Sequence, residues 1–528
     1  MRKFEYLVFA TGAVTLALEV LASRIMTPYF GVSLYIWTGI LSITLTFLAF
    51  GYHLGGLISK RAGGAALEDV FLAAPVLSAI SIAVAAAIYP VLFPVLSQIN
   101  LIAGSFIGAT ILLALPLIAL SAMNPLLIGM QRGQSEAGGD AGAGRVFFIS
   151  TVGSVVGVLL TAFLFIPNMT NFRAVLTLSL VLCVLAAVYS LAAPASLKAQ
   201  KRNLILATFV VGLVCAALLV AKDSYLKTVA SGNDQNLIFE VRAEYTSVFG
   251  NVKVVDVRSR RGTGTPQRLF IQDGIIQNRT GLNHQSESLY TYVLEALAKA
   301  FVPGAKRALI LGLGAGSVAS RMQEGGIGVT VVDINTDILT AARQHFGFDG
   351  AGINVDIQDA RTFVRACRHD YDVVIVDLFL GDNVPDYLLT RQFFADVRRC
   401  ASPDGAVVMN AFFDDTDAVP NKRLLATIRA AFPNVFVFGN VHENIFLAAT
   451  QRARPRHFPN AVINSMPNPV QSPVRALLRS GRQLNVTAIA NIEPVSDGHN
   501  IFSVLFAPAN MRERKVMAGR LPPWVLVN

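Results

Sequence analysis

Long, unbroken apolar runs build the first 221 residues, whereas after about residue 236 the apolar positions come in short alternating stretches, so the chain changes its surroundings partway along. Seven of the long runs, at roughly 5–25, 34–58, 70–92, 101–122, 146–166, 172–193 and 203–221, reach the length a helix needs to cross a bilayer. Glu19 inside the first run, the lack of a small-residue cleavage site and the six runs behind it argue against a cleaved leader. From 236 to 283 the pattern predicts a small antiparallel β unit: strands at Leu237 to Val241, Val252 to Val257 and Leu269 to Gln272, then an Asp273-Gly274 turn into Ile275 to Gln277. From 284 to 450 strands alternate with helices. The strands are predicted at Ala308 to Gly312, Val329 to Asp333, Asn354 to Ile357, Val373 to Asp377, Ala406 to Ala411 and Val435 to Gly439. Such repeated βα units predict a doubly wound, mostly parallel sheet with its ligand at the carboxyl ends of the strands. Residues 451–528, with Pro455, Pro459, Pro467 and Pro473 in their first part, are expected to form a partly irregular extension packed on the domain or the membrane.

Composition agrees with this division: 53% of the 528 residues are hydrophobic and 15% charged, with a mean hydropathy of +0.53. Residues 1–222 carry 12 basic and 6 acidic groups, 223–450 carry 22 and 25, and 451–528 carry 10 and 3, so the net +10 sits in the apolar half and the tail. A nucleic-acid groove would place that charge on the folded domain among aromatics. A membrane surface is therefore the partner expected for the tail, with Arg512-Glu-Arg-Lys515 as a solvated cluster. The four cysteines, Cys183, Cys215, Cys367 and Cys400, have no metal-ligand spacing and no disulfide framework, and are expected to be buried fillers. Gly51-x-x-x-Gly55 and Gly153-x-x-x-Gly157 allow close helix approach. Glu19, expected to pair with a cation such as Arg24, together with His53 and Asn124, are the polar groups at membrane depth.

Lys and Arg near the predicted spans are unevenly placed. Arg2, Lys3, Lys60, Arg61, Arg132, Arg145, Lys198, Lys201 and Arg202 fall on the amino-terminal side, against Arg24, Arg173, Lys222 and Lys227 on the other. That bias puts the amino terminus inside and, with seven spans, the globular part outside. Against that bias we assign the globular part to the cytosol, where nucleotide-derived cofactors are supplied, and the whole chain to a bacterial inner membrane.

The chemistry is concentrated at strand ends. Arg307-Ala-Leu-Ile-Leu-Gly-Leu-Gly-Ala-Gly-Ser317 joins a buried strand to a glycine turn and a helix; Gly312, Gly314 and Gly316 let the backbone turn sharply and approach a ligand. Asp333, closing the next strand about 20 residues on, suits the two hydroxyls of a ribose. Asp359 and Asp377 follow at the next two strand ends, which favours a nucleoside site over a set of helix caps. Ser317 stands near where G-x-G-x-x-G would close with glycine, which disfavours a dinucleotide.

Residues 244–450 resemble the spermidine synthase (polyamine aminopropyltransferase) family, and the whole chain resembles its membrane-fused bacterial branch. The residues carrying the resemblance are Gln272-Asp-Gly-Ile-Ile-Gln277, Ser286-Glu-Ser-Leu-Tyr290, the glycine loop, Val331-Val-Asp-Ile334, Gln358-Asp-Ala360, Asp372-Val-Val-Ile-Val-Asp377, Leu389-Thr-Arg-Gln-Phe-Phe394 and Pro403-Asp-Gly405. Leu18-Glu-Val-Leu-Ala-Ser-Arg24, Pro28-Tyr-Phe-Gly31 and Gly51-Tyr-His-Leu-Gly-Gly56 resemble the opening motifs of the fused branch. The implied fold is a seven-helix transmembrane bundle, the small β unit, and a Rossmann-like methyltransferase-type sheet. The implied activity is aminopropyl transfer from decarboxylated S-adenosylmethionine to a small amine such as putrescine, without a metal. Asp333 would then hold the ribose, Asp359 with Ala360 the adenine, Asp377 would take the amine's proton, and Gln277, Tyr290 and Asp382 would line the acceptor pocket. Self-association is admitted, and nucleic acid is not an expected partner.

The chain departs from the family pattern at four positions. Ala315 replaces an aspartate that binds the aminopropyl amine, Gly250 a glutamine, Thr291 a Gln or His, and Leu380 the aspartate that holds the diamine. Two other readings therefore stand beside the first: a reaction on intact S-adenosylmethionine, by methyl transfer or elimination to methylthioadenosine, and a transporter or sensor with a regulatory adenosyl-binding domain.

Overall fold

The computed structural model describes residues 2–62, 64–132, 139–192, 198–231, 236–411, 418–439, 445–453 and 456–528; Pro455 lies outside them. The chain divides into two compact units, Met1–Asp234 with Arg514–Asn528, and Gln235–Glu513.

Among the described residues, seven helices of the first unit are long and apolar enough to cross a membrane: Lys3–Phe30, Ile36–Arg61, Ala65–Ile99, Leu101–Gln131, Gly142–Asn168, Asn171–Leu191 and Arg202–Val220. Most run beyond the apolar runs, because a helix continues into flanking polar residues until its capping groups find water. The small-residue motifs are used inside the chain. A Cβ on Gly153 would stand 2.1 Å from the carbonyl oxygen of Phe9, and one on Gly157 2.0 Å from that of Ala13, so the first and fifth helices cross backbone to backbone. Gly55 meets the Ala122 carbonyl of the fourth helix in the same way. Outward-facing Phe163, Leu191 and Phe209 are exposed, the distribution expected where lipid is the solvent. Asn124 is buried and donates to the Ser150 hydroxyl (3.2 Å), while His53 is exposed, so these two polar groups do not share one cavity.

The solvated cluster expected at 512–515 needs correction. Arg514 is fully buried and donates to the carbonyls of Thr27 (2.9 Å) and Pro28 (3.1 Å), late in the first helix, the Thr27 carbonyl also accepting from the Gly31 N–H at 2.9 Å. The chain end is tied down too, the Asn528 carbonyl accepting from the Phe172 amide at 2.7 Å.

The second unit opens with an antiparallel four-stranded meander, β1 (Leu237–Ser247), β2 (Gly250–Ser259), β3 (Gln267–Gln272) and β4 (Ile275–Gly281). The large sheet follows: β5 (Arg307–Leu311), β6 (Gly328–Asp333), β7 (Ile353–Ile357), β8 (Tyr371–Val376), β9 (Ala401–Ala411), β10 (Asn434–Phe438), β11 (Ile445–Thr450) and β12 (Arg482–Gln483). Its spatial order is β12-β10-β11-β9-β8-β5-β6-β7, parallel from β9 through β7 and antiparallel where β11 enters between β9 and β10. Both faces are covered, so β5 and β8 read as continuous Leu, Ile and Val runs. Strand order reverses between β5 and β8, and a doubly wound sheet opens its ligand crevice at that point.

Two features of this unit differ from expectation. Cys367 and Cys400 form a disulfide with a Cα–Cα distance of 5.0 Å, linking the ends of the helices Ala360–Ala366 and Arg391–Cys400. Residues 33 apart in sequence are brought together where the carboxyl ends of those two helices meet, which residue spacing does not reveal. The stretch after residue 451 is also more ordered than expected. It holds the helices Asn468–Ser480 and Phe502–Ala518, and between them it braces the loop after Asp377: the Asn500 amide donates to the Asp386 carbonyl (2.6 Å) and the Arg391 N–H to the Val495 carbonyl (2.9 Å).

Candidate active site

The glycine loop leaves β5 with positive φ at Gly312 (97°), Gly314 (55°) and Gly316 (81°), conformations that a side chain would strain. The three glycines do different work. A Cβ at Gly312 would lie 2.1 Å from the Asp377 carbonyl oxygen, and one at Gly316 2.7 Å from the Phe348 ring, whereas around Gly314 nothing lies within 4 Å. Close approach to a ligand is thus left to Gly314, and the other two pack the loop against its own domain.

Asp333 is buried at the end of β6, where one carboxylate oxygen accepts from the Leu313 N–H (2.9 Å) and the other from the Asn335 N–H (2.9 Å). Burial raises its pKa and the backbone hydrogen bonds oppose that rise. The Ile334 N–H adds a third backbone hydrogen bond, so the carboxylate shapes the loop and keeps one of its four acceptor sites for a ligand hydroxyl. Asp359 caps the helix Ala360–Ala366 through the Thr362 N–H (2.8 Å), and its other oxygen accepts from the Tyr387 hydroxyl at 2.7 Å. The capping role weighed against ligand binding is therefore real here, and Ala360 is buried behind it.

Asp377 follows β8 at the strand-order reversal. Burial pushes its carboxyl up to about 6, against a 2.9 Å hydrogen bond from the Asn410 side-chain amide. Asn410 sits near the end of β9, and its Oδ1 has no partner among the described residues. Tyr290 is near enough that the Asp377 charge, after burial, raises its pKa; its hydroxyl accepts from Asn278 at 3.4 Å. Sequence reasoning missed Asn410. Its signal was a single amide near the end of the apolar run Ala406-Val-Val-Met-Asn410.

Other expected residues act on the loop. The Gln277 amide donates to the Gly381 carbonyl (2.5 Å), holding the turn Leu380–Asn383. Asp382 lines a small, half-open cleft with Phe379, Val384, Leu389, Met409 and Phe506. The departures from the family pattern have structural settings. Ala315 is packed in the core, Thr291 is spent on Ser286 and the Ser288 carbonyl, and Gly250 (φ 122°) lies where a Cβ would meet the Asp273 carboxylate at 2.5 Å.

A doubly wound sheet with a glycine turn after β5 and carboxylates at the ends of β6 and β8 defines a spermidine synthase/methyltransferase-type α/β fold. Residues 287–438 match the spermine/spermidine synthase domain. The C-terminal part of the chain therefore carries a domain of that family, with the helical unit as an additional N-terminal part. The polyamine aminopropyltransferase of Neisseria meningitidis serogroup A is 30% identical over 158 residues, 29% of this chain and 60% of that protein. An N-terminal histidine N-methyltransferase of Emericella nidulans is 29% identical over 136 residues, 25% of this chain and 24% of the other. A probable spermidine synthase from Corynebacterium glutamicum, known as a crystal structure, aligns with 49% of this chain and 97% of its own at 20% identity and a TM-score of 0.40. The chain thus spans about 60% of the length of the first of these relatives.

Proposed function

We propose that the protein is a membrane-bound aminopropyltransferase using decarboxylated S-adenosylmethionine and a small amine. The observation that carries this reading is Asp377, a carboxyl tuned to about 6 and joined to Asn410 beside the glycine loop. An acceptor amine must be neutral to attack the carbon next to the sulfonium. As the C–N bond forms and the C–S bond breaks, methylthioadenosine leaves with the sulfur electron pair, and the nitrogen's surplus proton passes to the Asp377 carboxylate. Asn410 holds that carboxylate, and its Oδ1 is placed to accept from an amine N–H. Asp333 and Gly314 would take the ribose side of the donor. Asp382 is the acid nearest in sequence for a cationic distal end of the acceptor.

A second reading, methyl transfer or elimination on intact S-adenosylmethionine, is favoured by one observation: Ala315 is a core residue, so the loop offers no acid to the donor's aminopropyl nitrogen. Purified protein incubated with each form of the donor, with and without putrescine, separates the two. Spermidine formed only from the decarboxylated donor supports the first reading; methylthioadenosine released from the intact donor without acceptor refutes it.

A further inference from the structure

We propose that the catalytic unit works on the oxidising side of the membrane, with Cys367–Cys400 as a standing structural disulfide. Two independent observations lead there. First, the disulfide joins two of the cysteines of this chain, both buried, Cys400 completely, between the helices Ala360–Ala366 and Arg391–Cys400. Structural disulfides of this kind persist in oxidising compartments and are rare in the cytosol of mesophiles, where the exceptions are mainly transient catalytic or sensing pairs. A pair sealed inside the domain, away from solvent, is poorly placed for such exchange.

The second observation is the charge along the helical unit. The connections after the first, third and fifth long helices are short, being Gly31 to Ser33, Asn100, and Met169 with Thr170, and contain no Lys or Arg; the cations flanking this side are Arg24 and Arg173, with Lys222 and Lys227 after the last span. The alternate side carries Lys60 and Arg61, Arg132 and Arg145, and Lys198, Lys201 and Arg202, besides Arg2 and Lys3 at the start. Short connections and clustered cations are what the positive-inside rule reads, so the amino terminus is cytoplasmic. Seven crossings then put the residues after Val220 on the opposite face. The disulfide and the charge pattern share no residue and point to the same side. The proposal places the unit on the side opposite to the cytosolic one expected from cofactor supply, and its test does not depend on which reaction the site performs.

The test uses the full chain in its own membrane and reads labelling, not activity. Thr265 lies exposed in the connection between β2 and β3, and Thr265→Cys introduces one accessible thiol. A membrane-impermeant maleimide applied to intact spheroplasts is expected to label this variant and not the unaltered protein. Labelling of Thr265→Cys only after lysis would overturn the proposal. In parallel, acid-quenched, denatured wild-type protein treated with a mass-tagging maleimide should show two reactive thiols, Cys183 and Cys215, rising to four after reduction. Four free thiols before reduction would overturn it as well.

Discussion

Replacing Asn410 with Ala removes the side-chain hydrogen bond that, among the described residues, favours the ionised form of Asp377. A hydrogen bond to a charged group in such a setting contributes about 1.5–3 kcal/mol. At about 1.4 kcal/mol per pH unit, its loss should raise the Asp377 pKa by roughly one to two units above the present value of about 6. The base acts as the carboxylate, so activity falls as pH drops through the pKa, and the acidic limb of the kcat profile moves upward in the variant. Stability has the opposite sense. The folded-state pKa already exceeds the unfolded one, so the contribution of the protonated form is complete below about pH 4 and is lost as pH rises through about 6. In Asn410→Ala that loss shifts to higher pH. The assay is initial methylthioadenosine release between pH 5 and 9 at saturating donor and acceptor, with thermal unfolding over the same range. An acidic limb that stays where it is in the wild type would refute the assignment of Asp377 as the titrating base.

Asp377→Asn should lower turnover by roughly 10²–10⁴-fold, the range for a positioned acid–base group, while donor binding measured by calorimetry is kept; unchanged turnover removes Asp377 from the chemistry. Gly312→Ala should fail to fold or lose at least several degrees in Tm, because its Cβ meets the Asp377 carbonyl at 2.1 Å, whereas Gly314→Ala should fold and weaken donor binding. Equal behaviour of these two variants would show that the glycines do not divide as described. Cys367→Ser with Cys400→Ser opens a loop of 33 residues, worth about 3–4 kcal/mol by chain entropy, so the Tm should fall by roughly 10 °C; a Tm within a degree of wild type would mean that the bond does not staple the fold.

What the sequence made legible follows from locality. The apolar runs of β5, β6 and β8 and the acids Asp333, Asp359 and Asp377 are written within single segments, so each strand and its terminal carboxylate can be read directly. Pairings set by tertiary packing cannot. Cys367 meets Cys400 through two helices, Asn410 reaches Asp377 across neighbouring strands, and Arg514 finds the Thr27 carbonyl nearly five hundred residues away. β11 is not legible in the sequence, because six residues, Ile445–Thr450, in a continuous apolar run carry no period that distinguishes a strand from a helix fragment. Glycine patterns misled in the other direction: a motif read as ligand approach at three positions serves internal packing at two of them.

The contact of Gly312 with the backbone of Asp377 has an evolutionary consequence. It fixes the spacing between the glycine loop and Asp377 in the main chain, where side-chain replacement cannot reach it. Within this architecture a new reaction cannot arise by sliding Asp377 relative to the glycine loop. Change is channelled instead into the stretch from Leu378 to Leu389, whose residues can be exchanged while the hub stays constant. Leu380, standing where a diamine-binding acid is expected, is one such exchange.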